Sequence, residues 1–218
     1  MNVIGLDLSL NASGLCTTSA RAESQNLHPA DGDLRLCQIR DWLTYHVERA
    51  APVLAVLEAV PPYAMATASL ERVHGVGREV LARFGVPFAY VNVTALKAFA
   101  TGDGKADKQA MIDGAAARAL DGGWVPADDN QADAWWLHRM AQWAMRPIHW
   151  PDLEPHELQA MSSVAWPLPV GPGGTLVPYG ELRRKPVTKK CRHGIISLKN
   201  GDQWLHPFNV AVCDKPPK

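Results

Sequence analysis

The chain of 218 residues lacks the features that mark several classes of protein. No run approaches the ~20 consecutive apolar residues that cross a bilayer, so no membrane segment is predicted. The amino-terminal stretch MNVIGLDLSL has no basic region and contains an acid, so we expect a cytoplasmic protein without a secretory signal. The four cysteines show no C-x-x-C spacing, which is typical of reduced thiols in the cytoplasm.

Net charge is also missing, because 22 basic and 22 acidic residues cancel. The distribution is nevertheless uneven: residues 1–146 carry 13 basic and 16 acidic side chains, whereas residues 147–218 carry 9 and 6. A basic cluster in the second part consists of Arg183, Arg184, Lys185, Lys189, Lys190 and Arg192. Two interpretations remain open, a phosphate-binding arm beside an acidic, metal-binding body or a solvated loop.

Apolar runs and helix-like segments alternate over residues 1–146, which predicts an α/β fold with helices on the faces of a sheet. Strands are predicted at Val3–Leu8, Gly14–Ser19, 53–60 and Val86–Val93, with a further strand around Asp33. Helices are predicted at Leu34–Ala50, Ala64–Phe84, Asp107–Leu120 and Asp128–Met145, with a short helix capped by Thr94.

Residues 147–218 differ in composition, since Pro and Gly interrupt the chain repeatedly up to residue 178. One short helix is expected near Glu154–Ser162, and a hairpin is expected around the Asn200–Gly201 turn. We therefore predict a domain at residues 1–146, followed by a linker and a basic hairpin extension at residues 147–218.

Two acids lie where apolar residues are expected. Asp7 lies within the first strand, and Glu58 lies at the end of the strand VLAVLEAV. A buried carboxylate is unfavourable unless it is paired or coordinates a cation. Either acid alone is compatible with a strand-end hydrogen bond, but two acids on neighbouring strands could converge at one site.

A third group of acids lies in the segment DDNQADAWW. Asp129 and Asp133 are four residues apart and share a helix face. Asp128 and Asp129 also suit the start of a helix, whereas Asp133 lies beyond the reach of capping. Such carboxylates can form an oxygen-ligand site for Mg²⁺ or Mn²⁺, and a pair of these ions can hydrolyse a phosphodiester. No Ser/His/Asp, Cys/His or H-E-x-x-H arrangement competes convincingly with this site.

Four segments, taken in order, resemble the RuvC-type Holliday junction resolvases of the RNase H-like (retroviral integrase) superfamily, above all the compact bacteriophage versions. They are GLDLSLNASG, VLEAV, VNVTALKAFATGDGKADKQAM and NQADAWW, and they span roughly Asn2 to Met145. The resemblance implies an RNase H-like fold with a central mixed sheet. It also implies a homodimeric, Mg²⁺-dependent hydrolase, an endonuclease that nicks branched DNA in recombination and repair. A viral member would act in the cytoplasm of the host cell.

The resemblance further implies that Asp7, Glu58 and Asp133 are catalytic metal ligands. The family carries an Asp or His three residues before the last Asp, whereas this chain has Asn130 there. The fourth ligand is therefore either Asn130, through its carbonyl oxygen, or the neighbouring Asp129.

DNA contacts are implied as well. Lys105 and Lys108 lie in a Gly-rich segment, GDGKADK, that resembles the family's phosphate-contacting segment. Tyr63 is the aromatic residue nearest the position of the family's DNA wedge. The helix Ala64–Phe84 is a candidate dimer interface, although its apolar positions also suit packing on the sheet.

Residues 147–218 lie outside the resemblance. The basic cluster is predicted to extend the DNA-binding surface, and its binding should weaken with salt. A zinc site is also considered, and unrelated buried cysteines are the favoured alternative. Its ligands would be Cys191, His193, His206 and Cys213.

Two other functions remain open. One is an actin- or sugar-kinase-like ATPase, whose first phosphate loop resembles GLDLSLNASG. The chain lacks the second Gly-rich phosphate loop and the adenosine-binding segment of such enzymes. The other is a catalytically inactive RNase H-like protein that binds DNA junctions, which the replacement at Asn130 suggests. The sequence does not define which branched DNA is preferred.

Overall fold

A computed structural model of the chain describes residues 2–61, 67–119, 122–146 and 152–167, together with the backbone of five short strands after residue 168. The strands of the main sheet are β1 (Val3–Asp7), β2 (Ala12–Cys16), β3 (Glu23–Asn26), β4 (Leu54–Glu58) and β5 (Phe88–Val91). The helices are α1 (Leu34–Ala50), α2 (Thr67–Arg83), α3 (Val93–Thr101), α4 (Lys108–Arg118), α5 (Asp129–Ala144) and α6 (Pro155–Ser162).

The main sheet has the order β3-β2-β1-β4-β5 and is mixed. Strands β1, β2 and β3 form an antiparallel meander, and β4 and β5 continue the sheet from β1 in parallel. Helices cover both faces, so the predicted α/β architecture with a central mixed sheet is confirmed.

Alternate residues of each strand point to opposite faces of this sheet, and this alternation divides the core in two. On β1, Ile4 and Leu6 join a core with α1 and α2, whereas Val3 joins a core with α3, α4 and α5. On β4, Leu57 belongs to the first core and Val56 to the second. Gly5, Asp7 and Glu58 therefore lie on the α5 face.

Three local predictions were wrong. The third strand is Glu23–Asn26 and not a segment around Asp33, and β2 begins at Ala12 instead of Gly14. Asn92, and not Thr94, caps α3, because its side-chain oxygen accepts a hydrogen bond from the Ala95 amide at 2.8 Å. The predicted hairpin is confirmed, since the strands Ile196–Asn200 and Gln203–Leu205 pair antiparallel with Asn200 opposite Gln203. Residues 201–202 of the predicted turn lie outside the described residues.

Helix α6 belongs to the predicted extension, yet it packs against α3. Leu153, Met161 and Trp166 are buried in the core on the α5 face of the sheet. Part of the chain after residue 146 therefore completes the core of the part before it. A domain boundary near residue 146 stays a prediction.

Helix α2 packs against α1 and the sheet. Its apolar residues Val73, Val80 and Leu81 are buried in that core, which accounts for its apolar pattern without a partner chain. A dimer remains a prediction.

None of the helices in the described part of the chain has the length and apolar character of a membrane span.

Candidate metal centre

The paired strands β1 and β4 bring two acids together. These strands are parallel, with Gly5 opposite Val56 and Leu6 opposite Leu57. Asp7 and Glu58 therefore end the two strands side by side, and both face α5. The convergence expected from the sequence is the result of this parallel register.

Two glycines in the strands allow the backbone of helix α5 to pack directly against the backbone of the sheet. A Cβ atom on Gly14 would lie 2.0 Å from the backbone carbonyl oxygen of Asn130. A Cβ atom on Gly5 would lie 2.2 Å from the Ala134 carbonyl oxygen. No larger side chain fits at either position, so these glycines allow the first turns of α5 to lie directly beside Asp7.

The acids strongly affect one another. The pKa of Asp7 is raised well above its usual value, first by burial and then by the charges of Glu58, Asp133 and Asp129. Burial and the Asp133 charge raise the pKa of Glu58 to about 7. Burial and the Asp129 charge raise the pKa of Asp133 to about 7. The carboxylates therefore form one electrostatic cluster that resists full ionisation.

This cluster has the chemistry of a divalent-cation site. Its donors are carboxylate oxygens, which suit Mg²⁺ and Mn²⁺. The buried Oδ1 atom of Asp133 has no hydrogen-bond partner among the described residues. In the described part of the chain, no three His, Cys, Asp or Glu side chains already surround one cation position. The donor set fits the ion, because a divalent cation would offset the repulsion among these carboxylates and give the Asp133 oxygen a partner.

Asn130 and Asp128 have other roles in this arrangement. With the Asn130 side-chain amide turned so that its nitrogen faces Asp7 Oδ2 and the Ala12 carbonyl oxygen, each 3.2 Å away, that nitrogen donates to both. Asp128 caps α5, since its Oδ1 accepts from the Gln131 amide at 2.8 Å. The fourth ligand, Asn130 or Asp129, stays a prediction.

The lysines predicted to bind DNA lie at different distances from the acids. Lys108 forms an ion pair with Asp129 at the edge of the cluster, which raises the pKa of Lys108. Lys105 is exposed in the loop before α4, where its backbone amide donates to Asp103 at 2.8 Å.

Lys97 of α3 was not singled out by the sequence analysis. Its charge lowers the pKa of both Glu58 and Asp133, opposing the effect of burial. The available signal was a single cation within the otherwise apolar helix VTALKAFAT.

Several predicted residues cannot be placed relative to this centre. Tyr63 and the zinc candidates lie outside the described residues, the latter being Cys191, His193, His206 and Cys213. The same holds for Arg183, Arg184 and Lys185. Lys189 and Lys190 lie on the short strand Thr188–Lys190, of which only the backbone is described.

Comparison with known proteins identifies the fold. No protein-family model matches the chain, and no curated protein matches it. Among solved structures, the chain is similar to Thermus thermophilus RuvC, with 20% identity, a TM-score of 0.55, and coverage of 67% of this chain and 97% of that one. It is also similar to T. thermophilus RuvC in complex with a Holliday junction substrate, with 19% identity, a TM-score of 0.56, and coverage of 66% and 94%. The predicted RuvC-like, RNase H-like fold is confirmed.

Proposed function

We propose that the chain is a metal-dependent endonuclease that hydrolyses phosphodiester bonds in branched DNA, with four-way junctions as the leading substrate class. The observation that carries the proposal is the cluster of Asp7, Glu58 and Asp133, which lies at the ends of two parallel strands beneath a helix. This cluster stands in a fold that the chain shares with a resolvase whose structure holds Holliday junction DNA.

Asp7, Glu58, Asp133 and Asp129 would hold Mg²⁺, or Mn²⁺ in its place. Such ions activate water and stabilise the leaving oxygen of a phosphodiester. The protein's own contribution is to gather the acids and to limit their protonation. Lys97 serves the second role, because its charge opposes protonation of Glu58 and Asp133.

DNA would approach the edge of this cluster. Lys108 lies there, paired with Asp129, and a cationic side chain at that position suits a DNA phosphate. Lys105 on the preceding loop and the basic cluster after residue 182 would extend the contact. A homodimer would bring two such centres to one junction, and two-fold symmetry would produce paired nicks.

A cleavage panel tests the proposal. Synthetic four-way junction, fork, flap and linear duplex are incubated with the protein and Mg²⁺ or Mn²⁺. We expect metal-dependent nicking of branched substrates above linear duplex. Junction binding without any nicking would instead favour the non-cleaving junction-binding protein that Asn130 suggests, and nucleotide hydrolysis without DNA cleavage would favour the ATPase.

Asp7→Asn should lower nicking by at least about 100-fold, each tenfold corresponding to 1.4 kcal/mol of lost transition-state stabilisation. Junction binding should persist, as measured by gel shift. Asp41→Asn is the matched control, because the Asp41 side chain is 75% exposed on α1, on the other face of the sheet. Retained nicking by Asp7→Asn would contradict the assignment.

A further inference from the structure

A row of three residues crosses the sheet beside the proposed metal centre. Asp7 on β1 pairs with Gly14 on β2, and Gly14 pairs with Ser24 on the edge strand β3. Directly paired residues point to the same face of a sheet. Asp7 and Ser24 therefore both face α5, separated by the glycine on which Asn130 rests.

Ser24 joins the first turn of α5 through a closed set of hydrogen bonds. Its hydroxyl donates to Asp128 Oδ2 at 2.8 Å and accepts from Gln131 Nε2 at 3.1 Å. Asp128 Oδ1 accepts from the backbone N–H of Gln131 at 2.8 Å. The side-chain oxygen of Gln131, Oε1, accepts from the backbone N–H of Ala127 at 3.0 Å. Both carboxylate oxygens of Asp128 are thus engaged within the protein.

We propose that Ser24 and Gln131 are positioning residues, which fix the start of α5 on β3 and thereby set the placement of Asp129 and Asp133 relative to Asp7. The inference rests on the proposed metal centre. Ser24 holds the start of α5 through its hydrogen bonds. Asp7 lies in the same row of paired residues, at the end of β1. A shift of the helix start would move its two acids away from Asp7.

The other end of α5 supplies a matched control. Gln142 Nε2 donates to the Ser19 hydroxyl at 2.7 Å, so a serine also holds the helix near its carboxyl end. With a rise of ~1.5 Å per residue, Gln142 lies about 13 Å along the axis from Asp133, whereas Gln131 lies about 3 Å from it. Loss of the Ser19 hydroxyl removes one hydrogen bond to the helix and loss of the Ser24 hydroxyl removes two, but only Ser24 lies next to the acids.

The experiment compares Ser24→Ala, Ser24→Thr and Ser19→Ala with the unsubstituted protein. Mn²⁺ dissociation constants are measured by isothermal titration calorimetry at pH 8, and thermal unfolding is measured without metal. Ser24→Ala should raise the Mn²⁺ dissociation constant about 10-fold, in the range found for residues that orient metal ligands. Ser24→Thr keeps the hydroxyl and should restore the affinity, and Ser19→Ala should leave it within about twofold.

The outcomes separate the inference from the function on which it rests. A Ser24→Ala protein with reduced thermal stability but unchanged Mn²⁺ affinity would overturn the positioning role, as would equal effects of Ser24→Ala and Ser19→Ala. If the unsubstituted protein binds no Mn²⁺, the proposed function fails and the inference fails with it. Gln131→Leu removes the same contact from the helix side and provides the test if Ser24→Ala does not fold.

Discussion

The two halves of α5 both carry charged side chains, but the surroundings of those charges differ. At the carboxyl end, the Arg139 guanidinium lies 5.7 Å from the centre of the Trp135 ring and donates to Gln142 at 3.3 Å. At the amino end, Asp133 has a buried oxygen with no partner in the described part of the chain, and Asp7 and Glu58 lie beside it.

The neighbourhood of the carboxyl end continues this pattern of local balance. Arg118 pairs with Glu157 at 2.9 Å and lies 5.4 Å from the centre of the Trp136 ring. Burial and the Arg118 charge lower the pKa of Arg139, and the Glu157 charge opposes them, so this neighbourhood holds an acid among its cations. The carboxylates at the amino end repel one another, and that unfavourable arrangement is what an external cation would relieve. The contrast separates charges that stabilise the fold from charges kept for a ligand.

The largest effect is expected where the amino end of α5 meets the sheet. Gly14→Ala would place a methyl group 2.0 Å from the Asn130 carbonyl oxygen, so the helix must move away from Asp7. We expect a loss of about 1–3 kcal/mol or more in the free energy of unfolding, measured by urea denaturation, together with loss of nicking.

Gly75→Ala is the control for this glycine. It lies within α2, where the nearest described side-chain atom outside its own neighbours, Arg78 Nη2, would be 3.9 Å from the new methyl group. Replacement of a helical glycine by alanine should stabilise the protein by about 0.5–1 kcal/mol. A Gly14→Ala protein as stable as the parent would show that α5 does not need its close approach to the sheet.

Much of the fold could be predicted from the sequence because its signals are local. Helix α1 begins at Leu34 and ends at Ala50 as predicted, since its apolar residues repeat with helical spacing. Asp7 and Glu58 could be identified because each interrupts an apolar strand. Asp133 could be identified because it lies too far into a helix to cap it.

The remaining features depend on tertiary contacts. Strand β3 has the sequence ESQN, which carries no apolar pattern, and it is a strand because it pairs with β2 and bonds to α5. Gly5 and Gly14 resemble ordinary strand and turn glycines until α5 is placed on them. Lys97 acts across the space between α3 and the acids, and linear spacing gives no measure of that distance.

Asp133→Asn should abolish nicking and yet stabilise the metal-free protein at pH 8. The folded chain holds protons on Asp133 and Glu58 up to about pH 7, above the ordinary values of 3.8 and 4.5. The folded state thus binds these protons more tightly than the unfolded chain, so the stabilising contribution of protonated Asp133 and Glu58 is lost as pH rises from about 4 to 7.

Removal of the Asp133 charge should raise the Tm of the metal-free protein at pH 8, by about 2–4 °C for each kcal/mol of relieved repulsion. The decrease of the Tm between pH 4 and 7 should also become smaller. Calorimetric scans across this range measure both effects. Asp113→Asn, on an exposed residue of α4, should change neither. A lower Tm for Asp133→Asn at pH 8 would mean that the carboxylate is satisfied in the folded protein.

Lys97→Met should shift the pH dependence of metal binding without abolishing it. Lys97 lowers the pKa of Glu58 and Asp133, so its loss should raise both and delay their ionisation as pH increases. We expect the gain in Mn²⁺ affinity between pH 7 and pH 9 to be on the order of threefold larger in the variant, a fraction of the tenfold that one pKa unit represents. At pH 9, where the acids are ionised in both proteins, the variant should bind Mn²⁺ more tightly, because the lysine charge no longer repels the cation. Lys105→Met, in the exposed loop, should leave the pH profile unchanged while weakening DNA binding. If the pH dependence of Mn²⁺ binding shifts equally in Lys97→Met and Lys105→Met, the cause is the overall charge of the protein and not the position of Lys97.

The smallest functional effect is expected at the carboxyl-end neighbourhood of α5. Glu157 is buried, and its carboxylate accepts hydrogen bonds from Arg118 at 2.9 Å and from the Glu154 amide at 3.0 Å. Glu157→Gln keeps the shape but removes the charge, so we expect a loss of about 1 kcal/mol, since the Arg118 side chain is 45% exposed and solvent screens the pair. Thermal unfolding should show a Tm lower by about 2–4 °C.

Mn²⁺ affinity and junction nicking of Glu157→Gln should match those of the parent, because this ion pair serves the fold alone. Weaker Mn²⁺ binding by Glu157→Gln would show that the two ends of α5 are coupled, and that the division between structural and ligand-directed charge does not hold.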